Sequence, residues 1–349
     1  MNHPNKNRSV RHLSAGRFLV ASATILLLAT SCRQPEPVRL YGEAQGTYYS
    51  IQYYDAQQRN FQPQIDSLLD AFDQSASLWV DSSLLRRVNA GLTDSLDAIL
   101  NFLLNKSLDI CEYTHGAFDC RVGRLVQTWG FSFKQRQEPD STMLAALLRA
   151  ARGNIGINSN RFYRQYSDTE LDFNAIAQGY ASDLVAQFLD SQGVESYLVD
   201  IGGEVIARGH KTDKRPWKVG IERPAGDSLS APVVETAIPL VNRAVVTSGS
   251  YRKYYEKNGV KYSHTIDPST GRPVTHSLLS VSVIEDECWL ADAMATAYMV
   301  MGLDSAKAFI TAHPDGPGTA AVYFIYDSCG TLATYATPGF ENMILNENP

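Results

Sequence analysis

The sequence has no surplus of positive charge. Its 31 lysines and arginines stand against 37 aspartates and glutamates, a formal net charge of −6. A phosphate backbone is met by a basic patch or stripe, so this balance argues against a nucleic-acid partner. Cysteine is scarce too, five in 349 residues, with no CxxC pair and no zinc-ligand spacing. The apolar run from Phe18 to Ala29 falls short of the ~20 residues that a membrane-spanning helix needs. Internal repeats and low-complexity tracts are missing. What is present is 44% hydrophobic and long enough for one large domain or two ordinary ones.

The N-terminus differs from the rest. Lys6, Arg8, Arg11 and Arg17 precede the apolar run with no acid among them, and Ala29-Thr30-Ser31 lead into Cys32. A basic region, a short apolar region and small residues at a cleavage point describe an export signal. The placement of Cys32 resembles the bacterial lipobox, whose cysteine is lipidated; a plain secretory signal with an incidental cysteine is the alternative. Cleavage after residue 31 leaves 27 basic against 37 acidic side chains, a net charge of −10. Pro35 and Pro37 make the following residues an extended tether.

Helical periodicity covers about 62–74, 94–113 (stopping near Gly116) and 141–152. Residues 41–54 read as a strand. Leu171-Asp-Phe is strand-like and breaks into Asn174-Ala-Ile-Ala-Gln-Gly179, ahead of a helix to about 191. Strands are expected at 196–207, 217–222, 233–240, 244–247 and 278–284, with a hairpin turning at Asn258-Gly259. Helices return at about 288–301 and 304–312, and a last hairpin joins 320–326 to 331–336. Helices first and antiparallel strands later predict an α+β fold.

Seven segments carry residues fit for chemistry. Asp292 and Thr296 are four apart, so a helix puts a carboxylate and a hydroxyl on one face, a pair suited to Mg²⁺ or to a plain helix face. The 171–179 turn can present backbone N–H groups to a phosphate or a carbonyl to a metal, yet it is neither a Walker A loop nor GxGxxG. Gly202-Gly203 sits inside a strand pattern, marking a bulge, a close backbone approach or tight packing. His264 stands three residues before Asp267 in a Pro268/Gly271 turn, as a general base, as part of a ligand-holding pair or as a structural histidine. Thr247-Ser-Gly-Ser250 upstream invites a serine-hydrolase reading, but there is no GxSxG elbow. Finally, His115-Gly-Ala-Phe-Asp119 and Trp129-Gly-Phe131 set an acid beside aromatics, for a flat ring or for the core.

Taken in order, Gly46-Thr47-Tyr48, Gly116-Ala-Phe-Asp119 with Trp129-Gly-Phe131, Asp172 to Gly179, Gly202-Gly203, Ser248-Gly-Ser-Tyr251, His264-x-x-Asp-Pro-x-Thr-Gly271 and Ala291-Asp-Ala-x-Ala-Thr296 resemble the ApbE family of FAD:protein FMN transferases. The resemblance runs from about residue 40 to 336. It implies a single α+β domain over 40–340, with largely antiparallel sheets flanked by helices, after a signal peptide (1–31) and a tether (32–39). It implies FAD as substrate and Mg²⁺ as cofactor, with transfer of FMN to a threonine hydroxyl of a partner protein and release of AMP. Metal ligands then fall on Asp292, Thr296 and the Ala175 carbonyl. Contacts to FAD fall on Gln45, Trp79, Ala117, Phe118, Asp119, Asp172, Gln178 and Ile266, and His264 assists the acceptor hydroxyl. The acceptor implied is a subunit of a Na⁺-translocating NADH:quinone reductase or an Rnf complex, met by an enzyme held through lipidated Cys32 to the inner membrane, facing the periplasm. The same site with water as acceptor would be an FAD pyrophosphatase, and without turnover a lipid-anchored flavin binder. Gln178 stands where the family commonly has lysine or glutamate, and Cys120-Arg121 and Arg124 replace a more usual threonine and proline.

Overall fold

The computed structural model describes residues 1, 36–131, 137–224, 233–250, 254–257 and 260–344. Cys32 and the Asn258-Gly259 turn lie outside the described residues. The chain divides into two units, Met1–Pro35 and Glu36–Pro349, and every described element belongs to the second. Among the described residues no helix is long and apolar enough to cross a membrane.

The chain opens with β1 (Val38–Ala44) and β2 (Thr47–Tyr53), then α1 (Gln62–Ala76), α2 (Leu84–Asn89) and α3 (Ala98–Tyr113). A 3₁₀ turn at Cys120–Val122 leads into α4 (Gly123–Thr128) and α5 (Ser141–Ala151), and a small hairpin pairs β3 (Ile155–Asn158) with β4 (Arg161–Arg164). Helix α6 (Ala177–Ser191) precedes β5 (Tyr197–Ile201), β6 (Glu204–Arg208), β7 (Trp217–Arg223), β8 (Val233–Leu240) and β9 (Arg243–Gly249). Next come β10 (Tyr254–Lys257), β11 (Val260–Ser263), β12 (Ile266–Asp267), β13 (Arg272–Pro273) and β14 (Leu278–Glu285). Helices α7 (Cys288–Met301) and α8 (Leu303–Ala312), strands β15 (Ala321–Ser328) and β16 (Thr331–Ala336), and α9 (Pro338–Glu341) complete it.

Eight strands form one sheet in the order β1-β2-β5-β6-β9-β14-β15-β16, every neighbouring pair antiparallel. Side chains alternate faces along a strand, and both faces here are covered. Ile206, Ala244, Val246, Val281, Val283 and Phe324 belong to the larger core with α6 and α7. Their alternates Val205, Ala207, Val245, Tyr323 and Ile325 pack with Trp217, Ile221, Ile238 and Leu240 of the β7–β8 hairpin and with Phe340. This is the expected α+β class with antiparallel sheets and flanking helices.

Three local expectations change. The strand read over 41–54 is a hairpin, because Gln45 and Gly46 take positive φ (55° and 73°) and reverse the chain. The strand read over 196–207 is likewise two strands: Gly202 and Gly203 (φ 65° and 111°) form its turn, with Ile201 opposite Glu204. Leu171-Asp-Phe173 is no strand. The backbone of Leu171 is satisfied by a side chain instead: Asn89 Nδ2 donates to Leu171 O and Leu171 N donates to Asn89 Oδ1, both at 2.8 Å. Pairing also begins at Val38, opposite Tyr53, inside the expected tether.

Candidate functional site

The site is built where α6 meets α7. Neither helix caps its own N-terminus with a side chain, although the first N–H groups of a helix have no intrahelical acceptor. Each helix is served by the other. Asp292, in the second turn of α7, accepts from Gly179 N of α6 at 3.1 Å. Asp183 of α6 accepts from Cys288 N and Trp289 N of α7 at 2.9 and 2.8 Å. The pairing 179 with 292 and 183 with 288 means that the helices run in opposite directions. Gly179 permits the approach: a Cβ there would lie 2.5 Å from Cys288 O and 2.9 Å from Asp292 Cβ.

These two carboxylates are buried, 5% exposed each. Burial pushes the Asp183 carboxyl up to about 7 against the pull of its two N–H donors. Burial likewise raises Asp292, the Gly179 N–H opposes it, and the Asp183 charge adds to the rise. Among the described residues no lysine or arginine forms an ion pair with Asp292. A buried carboxylate without a counter-cation favours either a proton or a metal ion. Thr296, one turn on and half-buried, has its Oγ1 3.4 Å from Ser248 Oγ on β9. Ala175 lies two residues ahead of α6, in the turn that Phe173 O closes by accepting from Ile176 N and Ala177 N. No three His, Cys, Asp or Glu side chains gather as a metal cluster among the described residues. The carboxylate, hydroxyl and carbonyl expected as ligands are oxygen donors of the kind that suits a hard cation completing its shell from water and phosphate.

Asp172 stands at the mouth of the same turn. Its N–H donates to Cys120 O, its Oδ1 accepts from Asn174 N, and burial lifts its carboxyl to about 6. Gln178 donates to Ile201 O at 2.9 Å, and its amide fills the space a Cβ on Gly202 would take, alongside Thr47 Cγ2. The β1–β2 turn, α6 and the Gly202-Gly203 turn thus converge. In that β1–β2 turn Gln45 Nε2 is buried with no hydrogen-bond partner, an unused donor.

The aromatic and histidine motifs also meet. Trp129 Nε1 donates to Gly271 O at 2.7 Å, Ile266 packs with Trp129, Leu125 and Leu144, and the Phe131 ring meets the His264 ring edge-on at 6.4 Å. His264 is half-buried. Asp267 serves its own turn: Ser269 N and Thr270 Oγ1 donate to its two oxygens at 2.8 and 2.9 Å. Asp119 is engaged as well. Arg121 donates to both its oxygens and turns its other nitrogen to Gly153 O. Phe118 is buried in the main core while Ala117 is half-buried beside it. Trp79 stands 58% exposed on the connection after α1.

Sequence reasoning gave no role to Asp183 and Asn89, and placed Gly179 only as the end of the 171–179 turn. Gly179 and Asp183 share a face at a spacing of four, a signal that reads equally well as ordinary packing.

The ApbE family model matches residues 45–321. A FAD:protein FMN transferase of Vibrio cholerae is 37% identical over 309 residues, covering 85% of this chain and 91% of that protein. One of Escherichia coli strain K12 is 32% identical over 352 residues, covering 94% and 97%. Among solved structures, the apo form of the Pseudomonas stutzeri flavinyl transferase ApbE superposes with a TM-score of 0.79 at 29% identity, over 90% of this chain and 98% of that one. The flavin transferase ApbE of Vibrio cholerae does so with a TM-score of 0.76 at 32% identity, over 88% and 99%.

Proposed function

The chain belongs to the ApbE family, and from that membership we infer that it is an FAD:protein FMN transferase. FAD is its substrate and a protein is its acceptor. The acceptor oxygen attacks the FMN-side phosphorus of the FAD pyrophosphate, the P–O bond to the AMP phosphate breaks, and AMP leaves with the electron pair. Phosphoryl transfer asks mainly for positioning and charge stabilisation.

The finer reading is ours. Asp292 Oδ, Thr296 Oγ1 and the Ala175 carbonyl would hold Mg²⁺, with the observation that carries it being the buried, cation-less Asp292 where α6 meets α7. Bound there, Mg²⁺ neutralises pyrophosphate charge and stabilises the departing AMP. Gln45, Asp172, Gln178 and the backbone at Ala117–Asp119 line the flavin nucleotide, Ile266 and the exposed Trp79 ring offer it apolar surface, and His264 takes the proton of a threonine hydroxyl. The product is a phosphoester. The acceptor we propose is a subunit of a Na⁺-translocating NADH:quinone reductase or an Rnf complex. The enzyme reaches it as an exported protein anchored through lipidated Cys32 to the inner membrane, facing the periplasm, with 1–31 as leader, 32–39 as tether and 40–340 as the catalytic domain.

Incubation with FAD, Mg²⁺ and the acceptor, followed by in-gel flavin fluorescence, tests this. A labelled acceptor with stoichiometric AMP supports transfer; free FMN with no labelled protein replaces it with pyrophosphatase. Asp292→Ala is expected to abolish Mg²⁺-dependent AMP release, and unchanged release would remove the metal assignment.

A further inference from the structure

The proposed cation donors are split between two helices. Ala175 comes two residues before α6, while Asp292 and Thr296 ride on α7. Nothing within either helix sets the distance from Ala175 to the Asp292/Thr296 pair; the packing of α6 and α7 on each other and on the sheet does. Three hydrogen bonds from backbone N–H groups to carboxylates cross the α6–α7 contact. One, Gly179 N to Asp292, uses a proposed ligand itself. The other two run from Cys288 N and Trp289 N to the two oxygens of Asp183.

We propose that Asp183 is the positioning residue of the cation site, resting on the reading that Asp292, Thr296 and Ala175 hold that cation. Its carboxylate caps α7 from α6 and so fixes how far along α6, and at what rotation, α7 presents Asp292 and Thr296. The chemistry favours a carboxylate for this task. Two N–H groups, the first and second of α7, converge on one side chain, and a carboxylate alone offers an acceptor to each without a donor of its own. Charge adds to it, because an anion at a helix N-terminus is stabilised by the helix dipole. The close approach at Gly179 leaves little room for a shift to be absorbed: even a Cβ there would come within 2.5 Å of Cys288 O. Movement of α7 therefore passes to the side chain one turn on, which is Asp292.

Partners of metal ligands cost about 10–100-fold in metal affinity when removed. Asp183→Asn keeps volume and one acceptor oxygen but turns an NH₂ group toward a backbone N–H. The control is Asp190→Ala on the same helix, which removes one acceptor of the Tyr197 hydroxyl, at 2.8 Å, and lies far along α6 from Gly179. Mn²⁺ is titrated into the FAD-loaded full protein and followed by the signal of the free ion, with the thermal midpoint and the Mg²⁺ dependence of AMP release measured in parallel. The expected result is an Mn²⁺ dissociation constant and an Mg²⁺ half-saturation raised about 10–100-fold in Asp183→Asn, with FAD affinity in the absence of metal unchanged. Asp190→Ala lowers the thermal midpoint and leaves Mn²⁺ binding as in the wild type. Asp183→Asn that lowers the midpoint but binds Mn²⁺ like the wild type overturns the proposal and leaves Asp183 a structural cap, with the cation site intact. A wild-type protein that binds no Mn²⁺ with FAD bound overturns the cation site and the proposal with it. If Asp183→Asn is recovered only unfolded, Asp183→Glu, which keeps both acceptor oxygens on a longer stem, is read by the same criteria.

Discussion

A carboxyl group withdrawn from water holds its proton more tightly, and Asp172 is in that position. Its folded-state value of about 6 lies above the ordinary 3.8. Between about pH 4 and pH 6 the folded protein therefore binds a proton that the unfolded chain has released, so this group makes stability fall as pH rises through that window. Above it the cost is fully present. Asp172→Asn can keep the hydrogen bond from Asn174 N, so the variant is expected to be more stable at pH 7 by up to about 3 kcal/mol and to lose that part of the pH dependence. Urea unfolding at pH 4.5 and pH 7 measures both. A buried acid that lowers stability is kept for a purpose, and weaker FAD binding in the same variant is the expected companion. His264 stands at the opposite end of the problem. It is half-buried against Phe131, and His264→Ala is expected to bind FAD normally while slowing acceptor labelling by about 10²–10⁴-fold, the range for a lost general base. A titration of FAD beside a labelling time course separates the two effects.

The elements show why single residues in these motifs carry so much. The Asp267-Pro-Ser-Thr-Gly271 stretch is a self-contained turn: Asp267 accepts from Ser269 N and Thr270 Oγ1, Gly271 N returns to Asp267 O, and Gly271 O accepts from Trp129. Its acid is therefore committed to shape, and the proton transfer we propose is assigned to His264, three residues before it. The α6–α7 pair is the other such element. Gly179→Ala would ordinarily favour a helix by about 1 kcal/mol. Here the added methyl meets Cys288 O at 2.5 Å, and overpacking of this kind costs about 1–3 kcal/mol. The expected outcome is a lower thermal midpoint together with weaker Mg²⁺ dependence of AMP release. An unchanged midpoint would mean that the helices separate freely.

At the scale of the whole molecule, the sheet is a partition. One face carries α6, α7 and the candidate site; the other is closed by the β7–β8 hairpin and Phe340. The acidic balance of the chain, 37 acids against 31 bases, agrees with our proposal that a metal ion and oriented backbone groups meet the pyrophosphate. The lipid anchor we propose precedes the catalytic domain in the sequence. Cys32→Ala is expected to move the protein from the membrane to the soluble fraction while purified protein transfers FMN at the wild-type rate. Cell fractionation and an in vitro labelling assay test the two halves.

The amino-acid order was enough to determine the helices that carry their own signals. Asp97 caps α3 and Asp140 caps α5 through N–H groups three residues on, and apolar periodicity marks their buried faces. The order of motifs was enough for the family, since seven short segments in sequence are far more specific than any one. Turns hidden in apolar texture were not legible: Gln45-Gly46 and Gly202-Gly203 look like strand interior until positive φ reverses the chain. The partners of the acids were decided only in three dimensions. Asp267 and Asp119 are spent on neighbours two or three residues away, whereas Asp183 and Asp292 reach across 105 and 113 residues of chain. A hydrogen bond requires two groups within about 3 Å in a set orientation. Local spacing fixes that for a cap, but for a pair of helices only the packing around Gly179 does.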